Sequence, residues 1–119
     1  MTTNSQFFNA LSDDYDVMIN FENALKNKIS FLINFQLPPY KTALDLGCGT
    51  GADAIALSKL NLKVDAVDHS KGMLSQALIN AQKHDVSINF IESSLTDLSL
   101  KPKTYDLIVS LGNTIANIN

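Results

Sequence analysis

The chain contains no arginine, so all nine of its basic residues are lysine. No bidentate guanidinium clamp for a carboxylate or phosphate can therefore come from it. Twelve acidic residues leave a net charge of −3. That balance offers no basic face to neutralise phosphates and argues against nucleic acid as the principal partner. A single cysteine, Cys48, excludes an internal disulfide and fits a reducing compartment. No apolar run approaches the ~18 residues that suggest a membrane span, and the N-terminus Met1-Thr2-Thr3-Asn4-Ser5-Gln6 is polar, unlike a signal peptide. These absences predict a cytoplasmic protein with no membrane partner. Glycine is scarce too, yet three of the five fall between positions 47 and 51.

That concentration marks the stretch around which the chain is organised. Ala43-Leu44-Asp45-Leu46-Gly47-Cys48-Gly49-Thr50-Gly51 is an apolar run ending in a carboxylate, then glycines at alternate positions. A helix-like pattern follows directly. The arrangement reads as a strand, a tight turn and a helix N-terminus. The dinucleotide fingerprint needs G-x-G-x-x-G, but here the third glycine comes one residue early. A carboxylate at the end of the strand would repel a pyrophosphate and attract an ammonium or sulfonium. The ligand implied is a nucleoside carrying an amino acid, which points to S-adenosylmethionine and away from a nicotinamide oxidoreductase.

The elements follow in order. Residues 1–20 are polar with aromatic punctuation, and Ser12-Asp13-Asp14-Tyr15-Asp16 starts a short helix or forms a loop. From Phe21, the residues Phe21, Leu25, Ile29, Leu32 and Ile33 share a helical face until Leu37-Pro38-Pro39 stops it. Thr42 to Leu46 is the first strand and Gly51 to Leu60 a helix, with Ala54, Ile55 and Leu57 for the sheet and Asn61 closing it. Lys63 to Asp68 is a second strand ending in a carboxylate 21 residues after Gly47. In strand-helix-strand units an acidic residue at about that distance takes ribose hydroxyls; the alternative is that Asp68 caps the next helix, as Ser70 also can. Residues 71–84 form a helix with a Met73, Leu74, Ala77, Leu78, Ala81 stripe, Met73 being read as core filler. Val86 to Ile91 and Tyr105 to Ser110 are further strands, joined by a loop through Ser93, Ser94, Thr96 and Asp97.

Alternating strands and helices predict an α/β fold: a Rossmann-like, doubly wound parallel sheet in the order 3-2-1-4 with helices on both faces. Residues 1–40 form an N-terminal helical flap and 41–119 the core, as a single domain overall. Asp45 to Gly51, Asp68, the 93–97 loop and Gly112-Asn113 converge at the carboxyl edge, where such folds bind ligands. With four readable strands, Leu107-Ile108-Val109 lies on an open edge. This predicts a fragment of a longer protein, or a sheet completed by a homo-oligomer or second chain covering the strand at 105–110.

The motifs resemble those of class I S-adenosylmethionine-dependent methyltransferases. Leu44 to Gly51 looks like the family's first motif, and Val67-Asp68-His69-Ser70 with Met73-Leu74 like its second. The glycine and sarcosine N-methyltransferase type is the most similar, through Ser110-Leu111-Gly112-Asn113-Thr114-Ile115-Ala116-Asn117, Tyr15-Asp16 and Phe21-Glu22. The resemblance implies methyl transfer from S-adenosylmethionine to a small-molecule acceptor, an amine. It implies that Gly47, with Asp45, holds the methionine part and that Gly49 and Gly51 shape the turn. Asp68 would bind both ribose hydroxyls, with His69 beside the adenine and Ser94 and Leu95 at its edge. Leu111 would lie against the cofactor, Gly112 and Asn113 would face the amine, and Tyr15 would belong to the flap. The family's sheet has seven strands, so the chain looks truncated after the fourth. No metal ligand and no general base is assigned. The rival expectation is a non-catalytic cofactor-binding fragment or interaction partner completed by another chain.

Overall fold

Five short stretches become strands of one sheet. In the computed structural model, which describes residues 14–94, 105–110 and 113–116, they are β1 (Thr42–Leu46), β2 (Lys63–Asp68), β3 (Asn89–Glu92), β4 (Leu107–Ser110) and β5 (Asn113–Ala116). The helices among the described residues are α1 (Asp14–Phe35), α2 (Ala52–Lys59) and α3 (Lys71–Lys83). The sheet runs β3-β2-β1-β4-β5. The first four strands are parallel, in the expected order, and β5 is antiparallel to β4.

Strand alternation divides the core into two faces. Ala43, Val64, Ala66, Leu107 and Val109 form one, packed against Ala54 and Leu57 of α2, Leu32 of α1 and Leu74 of α3. Leu44, Val67 and Tyr105 form the other, with Leu46, Ile91 and Ile108 beside them. All three helices therefore cover the first face; for α2 and α3, which join β1 to β2 and β2 to β3, right-handed crossovers in one direction along the sheet require it. The expectation of helices on both faces is met on one face by the described residues, and the β3–β4 connection at residues 95–104 lies outside them.

The helices differ from the sequence expectation in specific ways. α1 begins at Asp14 rather than Phe21, so Tyr15 and Asp16 lie within it. Its packed stripe is Phe21, Leu25, Ile29 and Leu32, set against Ile55, Ala56 and Ala81. Ile33 is 57% exposed, because the next position after Leu32 is turned about 100° round the helix. On α3, Ala77 and Ala81 are buried, while Met73 and Leu78 are exposed. Met73 is thus not core filler: it lies in the first turn of α3, while Leu74, Ala77 and Ala81 carry the packing. Asn61 closes α2 in the left-handed region, as expected, with φ 72°. β3 starts at Asn89, and Val86 and Ile88 pack into the helix layer before it. No helix among the described residues is long and apolar enough to cross a membrane.

The open edge expected at β4 is not there. The chain turns back after Ser110, and Asn113–Ala116 pairs antiparallel with β4 through a register shift at Ile108/Val109. The β4 backbone groups on that side find their partners within the same chain, so the argument for a homo-oligomer or second chain covering 105–110 falls. Sequence reading missed β5 because Asn113-Thr114-Ile115-Ala116 is short and has only one strongly apolar residue.

Two side chains fix β4 beside β1. The Asp106 carboxylate accepts from the amides of Lys41 and Thr42 at 2.7 and 3.3 Å. The Tyr105 hydroxyl donates to Asp65 Oδ2 at 2.6 Å, tying the entry of β4 to β2 beneath β1. Burial and the Asp65 bond push the phenol pKa up to about 12, so it stays a donor at ordinary pH. Tyr105→Phe should cost about 1.5–3 kcal/mol of stability, the range for a bond to a charged group. Urea denaturation would read this, and an unchanged midpoint would remove Tyr105 from that role.

Candidate cofactor site

The turn after β1 is built on hydrogen bonds from its neighbour strand. The amides of Gly47 and Cys48 both donate to the Val67 carbonyl, at 2.8 and 2.9 Å, and so carry the β1–β2 pairing past the strand end. The Gly51 amide donates to the Cys48 carbonyl at 3.0 Å, and α2 starts with Ile55 N–H to the Gly51 carbonyl at 2.8 Å. Gly47, Gly49 and Gly51 all have positive φ, at 73°, 55° and 97°. The last two do different work. A Cβ on Gly51 would meet Ala77 Cβ at 3.3 Å and Ile55 Cδ1 at 3.5 Å, so this glycine lets α3 close onto the turn. A Cβ on Gly49 would meet nothing within 4 Å. Gly49 is the point where bare backbone faces open space, which is what close approach of a ligand needs.

Asp68 holds this turn from the end of β2. The residue is 7% exposed. Its Oδ2 accepts from the Gly49 amide at 2.9 Å and its Oδ1 from the Ser70 amide at 2.9 Å. Ser70, not Asp68, caps α3, its Oγ accepting from the Met73 amide at 3.2 Å. Each carboxylate oxygen has two acceptor sites, so both can still receive a further donor. His69 stands out at the rim, 83% exposed, with Nδ1 3.6 Å from Asp68 Oδ1. The Ser93 amide donates to the Asp68 carbonyl at 3.1 Å and Ser93 Oγ to the Ser94 carbonyl at 2.9 Å. Ser94 is thereby brought to the same edge.

The structure thus gathers Asp45, Gly47, Gly49, Gly51, Asp68, His69 and Ser94 at the carboxyl ends of β1 and β2. Tyr15 lies in the first turn of α1. Asn113 is the first residue of β5, in register with Ser110. Leu95, Leu111 and Gly112 lie outside the described residues.

Sequence reading missed two supports of the site. Asn80 on α3 is 6% exposed and donates to the Thr50 carbonyl at 3.0 Å, while accepting from Gln76 Nε2 at 3.0 Å. It pins the turn from behind. The available signal was a polar residue between Ala77 and Ala81 on the buried side of a helix. The second support is an ion pair of 2.8 Å between Lys28 on α1 and Asp53 in the first turn of α2. Both residues line a cavity of about 430 Å³ between α1, α2 and Val109 of β4. That cavity does not include the glycine turn or Asp68, so it is separate from the edge where the predicted residues meet. Among the described residues no cluster of three His, Cys, Asp or Glu could hold a metal ion.

Asp45 is the unusual group. It is 1% exposed, and neither carboxylate oxygen has a hydrogen-bond partner. Its pKa is pushed up to about 7 by burial first and then by the neighbouring Asp53; Lys28 and the Ala54 amide pull it down by less. Burial, Asp45 and Asp68 also push the Cys48 thiol up to about 12, so Cys48 is no nucleophile. Because the native pKa of Asp45 lies above its ordinary value of 3.8, the folded state holds a proton that the unfolded state has lost. This contribution is full below about pH 4, declines as pH rises, and is gone above about 7. Asp45→Asn should therefore be more stable than the parent at pH 8, by roughly 1–4 kcal/mol, with the gap closing toward pH 5. Denaturation across pH would show it, and a gap independent of pH would contradict it.

A methyltransferase-domain family model matches residues 43–119. The ribosomal protein L11 methyltransferase of Campylobacter concisus is 44% identical over 78 residues, covering 65% of this chain and 26% of its own length. The ubiquinone biosynthesis O-methyltransferase of Rickettsia typhi is 37% identical over 68 residues, 57% of this chain and 27% of its own. In three dimensions, an S-adenosylmethionine-dependent methyltransferase from Clostridium acetobutylicum superposes with a TM-score of 0.59 at 25% identity, over 87% of this chain and 43% of its own. The chain spans about a quarter of the length of the two sequence relatives. The matched span begins within β1 and takes in the glycine turn, Asp68 and β4, and on that ground the chain belongs to the S-adenosylmethionine-dependent methyltransferase family.

Proposed function

We propose that this chain binds S-adenosylmethionine at the Gly47–Gly51 turn and Asp68, as the cofactor half of an enzyme that methylates a small molecule, an amine. The observation that carries the reading is the buried Asp68 carboxylate reaching Gly49, the glycine beside open space. A vicinal diol can donate to both carboxylate oxygens, and the glycine lets the ligand lie against the backbone. The start of α2 has no side-chain cap, so its amides add positive potential beside the turn. His69 and Ser94 stand at the rim for the adenine, with Leu95 and Leu111 as further cofactor contacts. Gly112 and Asn113 face the acceptor, and residues 1–40, with Tyr15, serve as the flap over the core. The lone buried Cys48 fits a cytoplasmic setting.

The cofactor supplies a methyl group already activated by a sulfonium. The protein's part is then to position the acceptor and to exclude water. An amine attacks through its lone pair, so the site must favour the unprotonated form. The acceptor class is the part least tied to these residues: one relative is named for ribosomal protein L11 and another for ubiquinone biosynthesis.

Asp68→Ala should weaken S-adenosylmethionine binding by about 1–3 kcal/mol, roughly 5- to 150-fold. Any transfer of labelled methyl to glycine, sarcosine or other small amines should fall with it. An unchanged dissociation constant would remove Asp68 from the site. Labelling of a protein or RNA substrate but of no amine would replace the acceptor class.

A further inference from the structure

Asp45 has a burial and charge environment that the binding role of Asp68 does not explain. Both its oxygens are enclosed and unpartnered. The groups that face it come from every neighbouring element: Asp53 and the Ala54 amide on α2, Lys28 on α1, Asp68 at the end of β2, and Cys48 in the turn. Two of these are carboxylates. The lysine is already engaged by one of them, at 2.8 Å to Asp53. With Asp45 ionised, three carboxylates face one lysine, a deficit of two positive charges, and Asp45 stands at the strand end two residues before Gly47, where the cofactor reading above places a cationic ligand.

We infer that Asp45 discriminates the sulfonium cofactor from its thioether product by charge, ionised while the sulfonium is bound and protonated once the positive charge has left. The inference rests on the cofactor reading above. The proton balance closes. The acceptor sheds a proton to water as it enters as a neutral amine, methyl transfer moves the positive charge from sulfur to the product ammonium, which leaves carrying it, and Asp45 takes a proton up from water. The uptake relaxes the product complex, because a neutral acid no longer prefers a cation. A native pKa near 7 places both protonation states within reach at neutral pH. S-adenosylmethionine and S-adenosylhomocysteine share the α-ammonium, the carboxylate and the nucleoside, so the ratio of their affinities isolates the sulfonium.

The test is calorimetric titration of the 119-residue chain with each ligand at pH 6 and pH 8, in paired buffers of different ionisation enthalpy. The preference for S-adenosylmethionine over S-adenosylhomocysteine should rise about 3- to 10-fold from pH 6 to 8, as a bound-state pKa about one unit lower requires. Near pH 7, S-adenosylmethionine should release more protons on binding than S-adenosylhomocysteine. Asp45→Asn should flatten the ratio. His69→Gln should keep its rise, which separates Asp45 from the imidazole at the rim. A flat ratio in the parent, equal proton release by the two ligands, or a rise that survives Asp45→Asn would overturn the inference while leaving the cofactor site standing. Failure of both ligands to bind would overturn the two together. Should Asp45→Asn not fold, the proton counts in the parent and in His69→Gln decide.

Discussion

The hydrogen bond from the Gly49 amide to Asp68 Oδ2, 2.9 Å long, is the contact on which the candidate site depends. It joins the turn after β1 to the end of β2, adding a side-chain anchor to the bonds by which the Gly47 and Cys48 amides meet the Val67 carbonyl. The same carboxylate receives the Ser70 amide and so fixes the approach to α3. One buried side chain thereby sets the position of two loops and the N-terminus of a helix. A buried carboxylate is costly unless such donors satisfy it, and here both donors are backbone amides that a ligand diol can join. Asn80 supports the turn from the other side through Thr50. The turn is held at both flanks while Gly49 itself stays open.

Electrostatics around that turn are poised rather than balanced. Asp45, Asp53 and Asp68 lie close enough to influence one another, and Lys28 is the cation that answers them. With no arginine in the chain, no second strong clamp offsets the acidic group. Asp68 meets this by hydrogen bonding, Asp53 by an ion pair, and Asp45 by holding a proton to a higher pH. The strain is concentrated in one residue at the strand end, which is where a cationic ligand would relieve it.

Much of this was legible in the sequence because it follows from local pattern. Apolar runs of strand length gave β1 and β2 at their observed bounds. The glycine spacing located the turn, and the carboxylate 21 residues on from Gly47 was Asp68. What the sequence hid is what depends on distance in space. Asn80 and Thr50 are thirty residues apart, and Tyr105 reaches Asp65 across forty. Periodicity put Met73 and Ile33 in buried stripes, but the place of Met73 in the first turn of α3 and the rotation of α1 at Leu32 leave both exposed. β5 escaped notice because four residues with one large apolar side chain carry little pattern, and its pairing is set by the strand beside it. The roles of Tyr15, Leu95, Leu111, Gly112 and Asn113 came from resemblance to a family, not from contacts.

We place the cofactor at the open face of Gly49 and the Asp68 carboxylate. A crystal structure of the 119-residue chain with S-adenosylhomocysteine tests it most directly. The ribose hydroxyls should lie on the two Asp68 oxygens, with the ligand against Gly49 at the carboxyl edge of β1 and β2. A ligand seated instead in the cavity between α1, α2 and Val109, or one that leaves Asp68 untouched, would contradict it.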